Sequence, residues 1–274
     1  MIKHDGHIHS PYCPHGTADT FADYCEQAIS DGLSGITFTE HAPLPEGFTD
    51  PTPEQDSAMS YGQLTSYIED LQAVKSFYKN KLSVLIGLEV DFIEGFEKET
   101  TTFLNEVGPK LDDSILSCHF ININNEYYCI DYSPDVFLTC QTLLGSTDAV
   151  YKHYYETVKK SVKSDLGSYK PTRIGHITLC QKFKKKYPAT ELHSQDIISI
   201  LQLINDHNYS LDYNGAGTLK PLCGVTYPPG DIASLAHQLG IPLIYGSDAH
   251  QVKGMAAGVD TLFDTDILSA PVLR

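Results

Sequence analysis

The sequence predicts an α/β barrel that runs as a single domain over residues 1–274, and three observations predict it. The chain is 274 residues long, enough to bury a substantial core and a length at which barrels of this class run as one domain. Short β-rich runs alternate with helical stretches, the pattern of βα units around a parallel sheet. Six of the seven β-rich runs finish in a residue type that binds metal ions, as they would if their C-terminal ends converged on one mouth.

Strands are expected over 2–9, 35–40, 83–90, 114–121, 173–177, 209–214 and 242–247, most of them filled with the apolar and β-branched side chains that a strand covered on both faces needs. One helix starts after Thr17 and ends at Gly32, because Ala22, Cys25, Ile29 and Leu33 keep a three-and-four spacing. Another spans 61–81, where Leu64, Ile68, Leu71, Val74 and Tyr78 repeat likewise. Segments 42–60 and 122–172 exceed a tight barrel loop. The first is rich in Pro, Glu, Asp and Thr, and the second has room for a helix over 150–162; insertions of this size are usually functional lids or partly ordered. No internal repeat or linker interrupts the chain. The lysine run from Lys182 to Lys186 reads as a solvated helix face.

Composition excludes several classes. Hydrophobic residues make up 41% of the chain, with 20 Gly and 15 Pro, which fits neither a disordered nor a fibrous protein. No apolar run approaches the ~18 residues of a membrane span, so no membrane partner is expected. The opening MIKHDGHIHS lacks a basic segment followed by an apolar one, and a cytoplasmic location is expected. Seven cysteines, odd in number and without a C-x-x-C pair, read as reduced thiols. A formal net charge of -16 repels polyanions and argues against nucleic acid as a partner. Twelve histidines against two arginines is the first sign of metal chemistry.

The positions of those histidines sharpen the sign. His7 and His9, two apart on a strand, project to one face and form a two-imidazole clamp, with His15 following a Pro-containing turn. Later strands end in Glu40–His41, Glu89, His119, His176 and the pair Asp248 and His250, which repeats the clamp at the far end of the chain. Glu89 lies in the apolar run SVLIGLEVDF, where an unpaired carboxylate carries a large desolvation cost that a cation must offset. Asp5 shares the face of His7 and His9 and is a candidate to accept a proton from a ligand imidazole. His4 points the other way, and His153, His193, His207 and His237 read as surface or capping residues. No Cys/His zinc pattern, serine-nucleophile elbow or phosphate-binding glycine loop is present.

The H-x-H at His7 and His9, the Glu40–His41 pair, Glu89, His119, His176 and the D-x-H from Asp248 to His250 together resemble the polymerase-and-histidinol-phosphatase (PHP) superfamily over nearly the whole chain. TEHAPLP around His41 and GHITLCQKF around His176 resemble its histidinol-phosphate phosphatases. The resemblance implies a distorted (β/α)7 TIM-like barrel with long loop insertions and three divalent ions, zinc, manganese or iron all suiting such ligands. It places His7, His9, Glu89 and Asp248 on the first ion and His15, His41 and His250 on the second. Glu89 would bridge to a third ion held also by His119 and His176. The implied reaction is hydrolysis of a small-molecule phosphate ester, L-histidinol phosphate, in histidine biosynthesis. Asp248 would orient or deprotonate the attacking water, and either His250 or a water would protonate the leaving alkoxide. Arg173, three residues before His176, is expected to meet the phosphate bidentately, and Glu46, Asp50, Asp91 and Glu94 to face the substrate amine. A PHP-type exonuclease and a non-catalytic PHP interaction module are the competing readings.

Overall fold

A computed structural model describes residues 2–273. Its main sheet contains β1 (His4–Ile8), β2 (Gly35–His41), β3 (Ser83–Asp91), β4 (Ile115–Ser117), β7 (Arg173–Ile174), β8 (Ser210–Asn214) and β9 (Leu243–Gly246), hydrogen-bonded in that order. Every pairing is parallel. The sheet then curls until its first and last strands meet: Asp248 N donates to His7 O at 2.7 Å and His9 N to Ala249 O at 3.0 Å. The result is a nearly closed, distorted seven-stranded barrel whose closure brings the first and last predicted clamps side by side.

Burial follows from two-sided covering. All seven residues of β2 are buried, as are the eight of β3 after Ser83, so these strands read as continuous apolar runs rather than alternating ones. The helices α1 (Phe21–Ser30), α2 (Tyr61–Tyr78), α3 (Glu97–Val107), α4 (Pro134–Leu144), α5 (Thr147–Lys163), α6 (Ser194–Asp206) and α7 (Gly230–Gln238) supply the cover. Helix α1 begins three residues later than its apolar spacing predicts, because Thr20 and Asp23 form a reciprocal capping box there. Tyr67 of α2 reaches into the sheet, its hydroxyl 2.8 Å from Gly87 O. No described helix is long and apolar enough to cross a membrane.

The predicted fourth strand divides. Strand β4 stops at Ser117, and Phe120–Ile123 (β5) pairs instead with Glu126–Cys129 (β6) in a separate antiparallel hairpin. Asn124 and Asn125 make its two-residue turn with φ of 55° and 68°, the left-handed pair that Asn tolerates and that matches strand twist. Strand β7 is shorter than expected. It ends at Ile174, and a Cβ on the next residue, Gly175, would stand 2.1 Å from Ser117 Oγ.

Candidate metal centre

Four imidazoles at the barrel mouth are each aimed by a hydrogen bond on the outer nitrogen. His7 Nδ1 donates to Asp212 Oδ2 on β8 (3.0 Å), His9 Nδ1 to Glu40 Oε1 on β2 (3.2 Å) and His119 Nδ1 to Asp91 Oδ1 on β3 (2.9 Å). His250 Nδ1 donates to Asp248 O at 3.0 Å. Fixing one nitrogen leaves Nε2 of each ring for the interior and sets its tautomer. The aiming carboxylates are themselves held: Glu40 Oε2 accepts from Ser10 N at 2.8 Å, and Asp212 Oδ2 from Asn214 Nδ2 at 3.1 Å. Gly246 is required here, since a Cβ on it would stand 2.5 Å from both Asp212 Oδ1 and His7 Cβ.

Glu89 sits between two sets of rings and offers one oxygen to each. Its Oε2 lies 3.4 Å from His7 Nε2, 3.6 Å from His9 Nε2 and 3.1 Å from His41 Nδ1. Its Oε1 lies 2.8 Å from His176 Nε2 and 3.7 Å from His119 Nε2, and accepts from Ser117 Oγ at 2.6 Å. Donor atoms sharing one tetrahedral ion at about 2.1 Å stand ~3.4 Å apart, so these spacings suit shared ions. Asp248 Oδ1 is 3.1 Å from His9 Nε2 and 3.7 Å from His7 Nε2. Its backbone takes a φ of 55°, a left-handed conformation that costs a non-glycine residue energy and is characteristic of functional sites.

A third set lies on the outer side of His9. His41, His250 and the thiol of Cys13 group with it, their donor atoms all within 4.8 Å of one another. His15 stands at the edge, its ring centroid 6.1 Å from that of His41 and 6.3 Å from that of His250, and its side chain is 42% exposed beside Asp56. Cys13 was expected to be only a reduced thiol; it is free, yet it faces the imidazoles.

Charge at the mouth is unevenly held. Burial opposes protonation of His7, but Glu89, Asp212 and Asp248 outweigh it and raise the ring to about 10; His119 is raised likewise to about 10 against its burial, by Asp91 and Glu89. Burial and the His9 charge instead hold His250 down at about 3, and the same causes lower His41. Burial would raise Glu89, yet His7, His119, His176 and His41 keep it well below the usual carboxylate range. An anionic centre that draws protons onto its imidazoles is one for which metal cations and protons compete.

The donor set fits divalent ions. Among the described residues, His7 Nε2 and His41 Nδ1 are buried with no hydrogen-bond partner, an expensive condition for a polar atom that an ion relieves. Three donor groups overlap through His9 and Glu89: His9, Cys13, His41 and His250; His7, His9 and Glu89; Glu89, His119 and His176. Above them opens a cavity of about 470 Å³ whose walls include His15, His41, Asp91, His119, His176, Asp248 and His250.

Several sequence-based expectations need correction. Arg173 does not reach this cavity. Its side chain is 2% exposed and turns to the opposite end of the barrel, where Nη2 donates to Asp113 Oδ2 at 2.6 Å; three residues of separation and the early end of β7 point it away from His176. Asp5 binds backbone rather than imidazole, accepting from Ser247 N at 2.9 Å and His7 N at 3.3 Å. Of the four acids expected to face the amine only Asp91, the last residue of β3, lines the cavity, and it is committed to His119. Asp50 folds its own loop through Thr52 and Ser57, and Glu94 pairs with Lys160. Within the lysine run, Lys182 turns into the cavity. The sequence reading missed Asp131 altogether, and left Glu40, Asp212 and Asn214 without a role; that each lies at or near a strand end was the available signal.

Comparison with known proteins adds four findings. The PHP domain family matches residues 5–216. A histidinol-phosphatase of Bacillus subtilis (strain 168) is 47% identical over 253 residues, covering 92% of this chain and 94% of that one. Among solved structures, a chain assigned as the histidinol phosphatase hisK of Listeria monocytogenes superposes with a TM-score of 0.90 at 37% identity, covering 94% of this chain and 99% of that one. The histidinol phosphate phosphatase of Lactococcus lactis, solved with zinc, L-histidinol and phosphate, shares the fold at a TM-score of 0.67 and 19% identity, covering 95% and 92%.

Proposed function

The chain belongs to the PHP domain family, and from that premise we propose that it is a histidinol-phosphatase whose barrel mouth holds three divalent ions, at which L-histidinol phosphate is split into L-histidinol and phosphate. The observation that carries the reading is the set of three overlapping donor groups joined through Glu89 and His9 beneath one cavity. Close relationship to the Bacillus enzyme supplies the substrate.

The family resemblance supplies the assignment of side chains, and the donor groups support most of it. His7, His9, Glu89 and Asp248 would hold one ion; His15, His41 and His250 a second, with Cys13 beside them; Glu89, His119 and His176 a third. Zinc, manganese and iron all suit these ligands. Bound there, such ions acidify a water nucleophile and neutralise charge on the phosphoryl oxygens. Asp248 is placed to orient the attacking water. Its Oδ1 faces the cluster, and Asn214 Nδ2 steadies Oδ2 at 3.2 Å. His250 is better suited to ligation than to proton donation, because its Nδ1–H is engaged by Asp248 O and its ring is held neutral. Asp212, Glu40 and Asp91 orient the imidazoles and raise their basicity.

Seven free, buried cysteines support a reducing, cytoplasmic setting for a single-domain enzyme. An acidic chain of net charge -16 speaks against the exonuclease reading, since a polyanion would meet long-range repulsion. Steady-state kinetics on a panel of phosphomonoesters and single-stranded DNA tests the proposal. L-Histidinol phosphate should give the highest kcat/KM. Nucleotide release from DNA at an equal or greater rate would transfer the assignment to the nuclease and leave the metal centre standing.

A further inference from the structure

On the cavity wall, Lys182 and Asp131 form an ion pair, Nζ to Oδ2, of 2.8 Å, with side chains 21% and 18% exposed. Asp131 follows β6, the second strand of the inserted hairpin, and Lys182 lies on the short helical turn after His176, so two insertions meet at this point. Among the described residues the only other Lys or Arg side chain lining the cavity is Lys220, which is exposed. Lys182 also feels the charge of Asp248, and Asp131 that of His119. The pair therefore stands within electrostatic reach of the groups that surround the ions. Burial disfavours both charges, and each partner restores the other: Lys182 is held protonated and Asp131 ionised.

A half-buried ion pair of this kind costs desolvation energy that its own attraction barely returns, and an apolar pair would serve packing as well. A substrate with a phosphate at one end and an ammonium two carbons away presents the complementary charges at short range. Resting on the histidinol-phosphatase reading, we propose that Lys182 and Asp131 are the specificity pair of this enzyme: on binding, the internal bridge is exchanged for a Lys182–phosphate contact and an Asp131–ammonium contact. While the cavity is empty, each charge neutralises the other. An ester without an amine can recruit only Lys182, and Asp131 then remains a bystander or a weak repulsive element, a discrimination of the kind that unpaired buried charge provides.

The test uses the metal-loaded enzyme, with metal content measured for every variant. Lys182→Met should raise both KM for L-histidinol phosphate and the inhibition constant of inorganic phosphate by about tenfold or more, with kcat less affected and metal content unchanged. Asp131→Asn should lower kcat/KM for L-histidinol phosphate by about tenfold or more, while kcat/KM for 4-nitrophenyl phosphate, which lacks an ammonium, stays within about twofold. The double variant strands neither charge and covers the case in which one single variant fails to fold; it should show both losses. Unchanged phosphate inhibition in Lys182→Met, or an equal loss on both esters in Asp131→Asn, would overturn the proposal. A wild-type enzyme inert to L-histidinol phosphate would instead overturn the functional reading, and the phosphate-inhibition arm would still decide the role of Lys182.

Discussion

Two polar layers cross the inside of this barrel. Towards the N-terminal ends of the strands, the Arg173 guanidinium meets Asp113 at 2.6 Å and His4 Nε2 meets Thr37 Oγ1 at 3.0 Å. Gly6 makes room, since a Cβ there would stand 2.3 Å from Arg173 Nη1. Towards the C-terminal ends, six imidazoles face Glu89 and Asp248, with Glu40, Asp91 and Asp212 behind them. Among the described residues no Lys or Arg pairs with any of those five carboxylates. Charge at the floor is matched within the protein, whereas those five carboxylates at the mouth are paired only with imidazoles and are matched by protons or by cations from outside. The same residue types are structural at one end and functional at the other, and the presence of a protein counter-charge tells them apart.

The comparison makes its strongest demand on Glu89. Glu89→Gln should lose metal from more than one site and lower kcat/KM by about a thousandfold or more, because a shared ligand couples the ions that stabilise the transition state. Elemental analysis beside kinetics checks it, and full occupancy with lost activity would show that Glu89 is no bridge. At the floor, Arg173→Met leaves Asp113 buried without its cation and should cost about 3–5 kcal/mol of stability. Denaturant unfolding reads that loss, while kcat of the folded fraction at saturating substrate stays near wild type; a large fall in kcat with unchanged stability would return Arg173 to the active site.

Smaller effects separate the two layers further. Asp212→Asn keeps shape but lets the His7 ring choose its tautomer, and should weaken metal affinity or activity by about 10- to 100-fold. A chelator titration measures it, and an unchanged profile would reduce Asp212 to packing. The smallest effect concerns His4, which burial and, secondarily, the Arg173 charge hold neutral down to about 3. A depressed pKa favours folding above the unfolded value near 6.5 and is lost as pH falls towards 3, so this group should contribute about 1–2 kcal/mol of destabilisation between pH 6.5 and 5. Melting curves of His4→Gln against the parent over that range should show a shallower fall in the variant; parallel curves would mean that His4 does not titrate with folding.

The strand-end pattern was legible because parallel strands turn a sequence periodicity into a spatial convergence: His7, Glu89, His119, His176 and Asp248 lie more than 240 residues apart at the extremes and still meet. The partners behind the imidazoles were less legible. Asp212 and His7 are joined only by closure of the barrel, which no local pattern encodes. The Asn-Asn turn between β5 and β6 was readable as a hairpin signal, and missing it hid Asp131, since the hairpin carries that residue over the cavity. Arg173 was misplaced for a simpler reason. Beside a histidine in sequence, it is expected to share its direction, but the chain leaves β7 after Ile174 and the two side chains enter opposite layers. Lys182 was obscured by its run, four of whose five residues are lysines, although only one of them turns inward to the cavity.

The central claim is that the mouth is completed by cations and the floor is not, and metal stoichiometry tests it most directly. Protein purified without chelator and analysed for zinc, manganese and iron should carry close to three ions per chain. That number should fall in Glu89→Gln and hold in Arg173→Met. One ion or fewer per chain in a fully active enzyme would contradict the account.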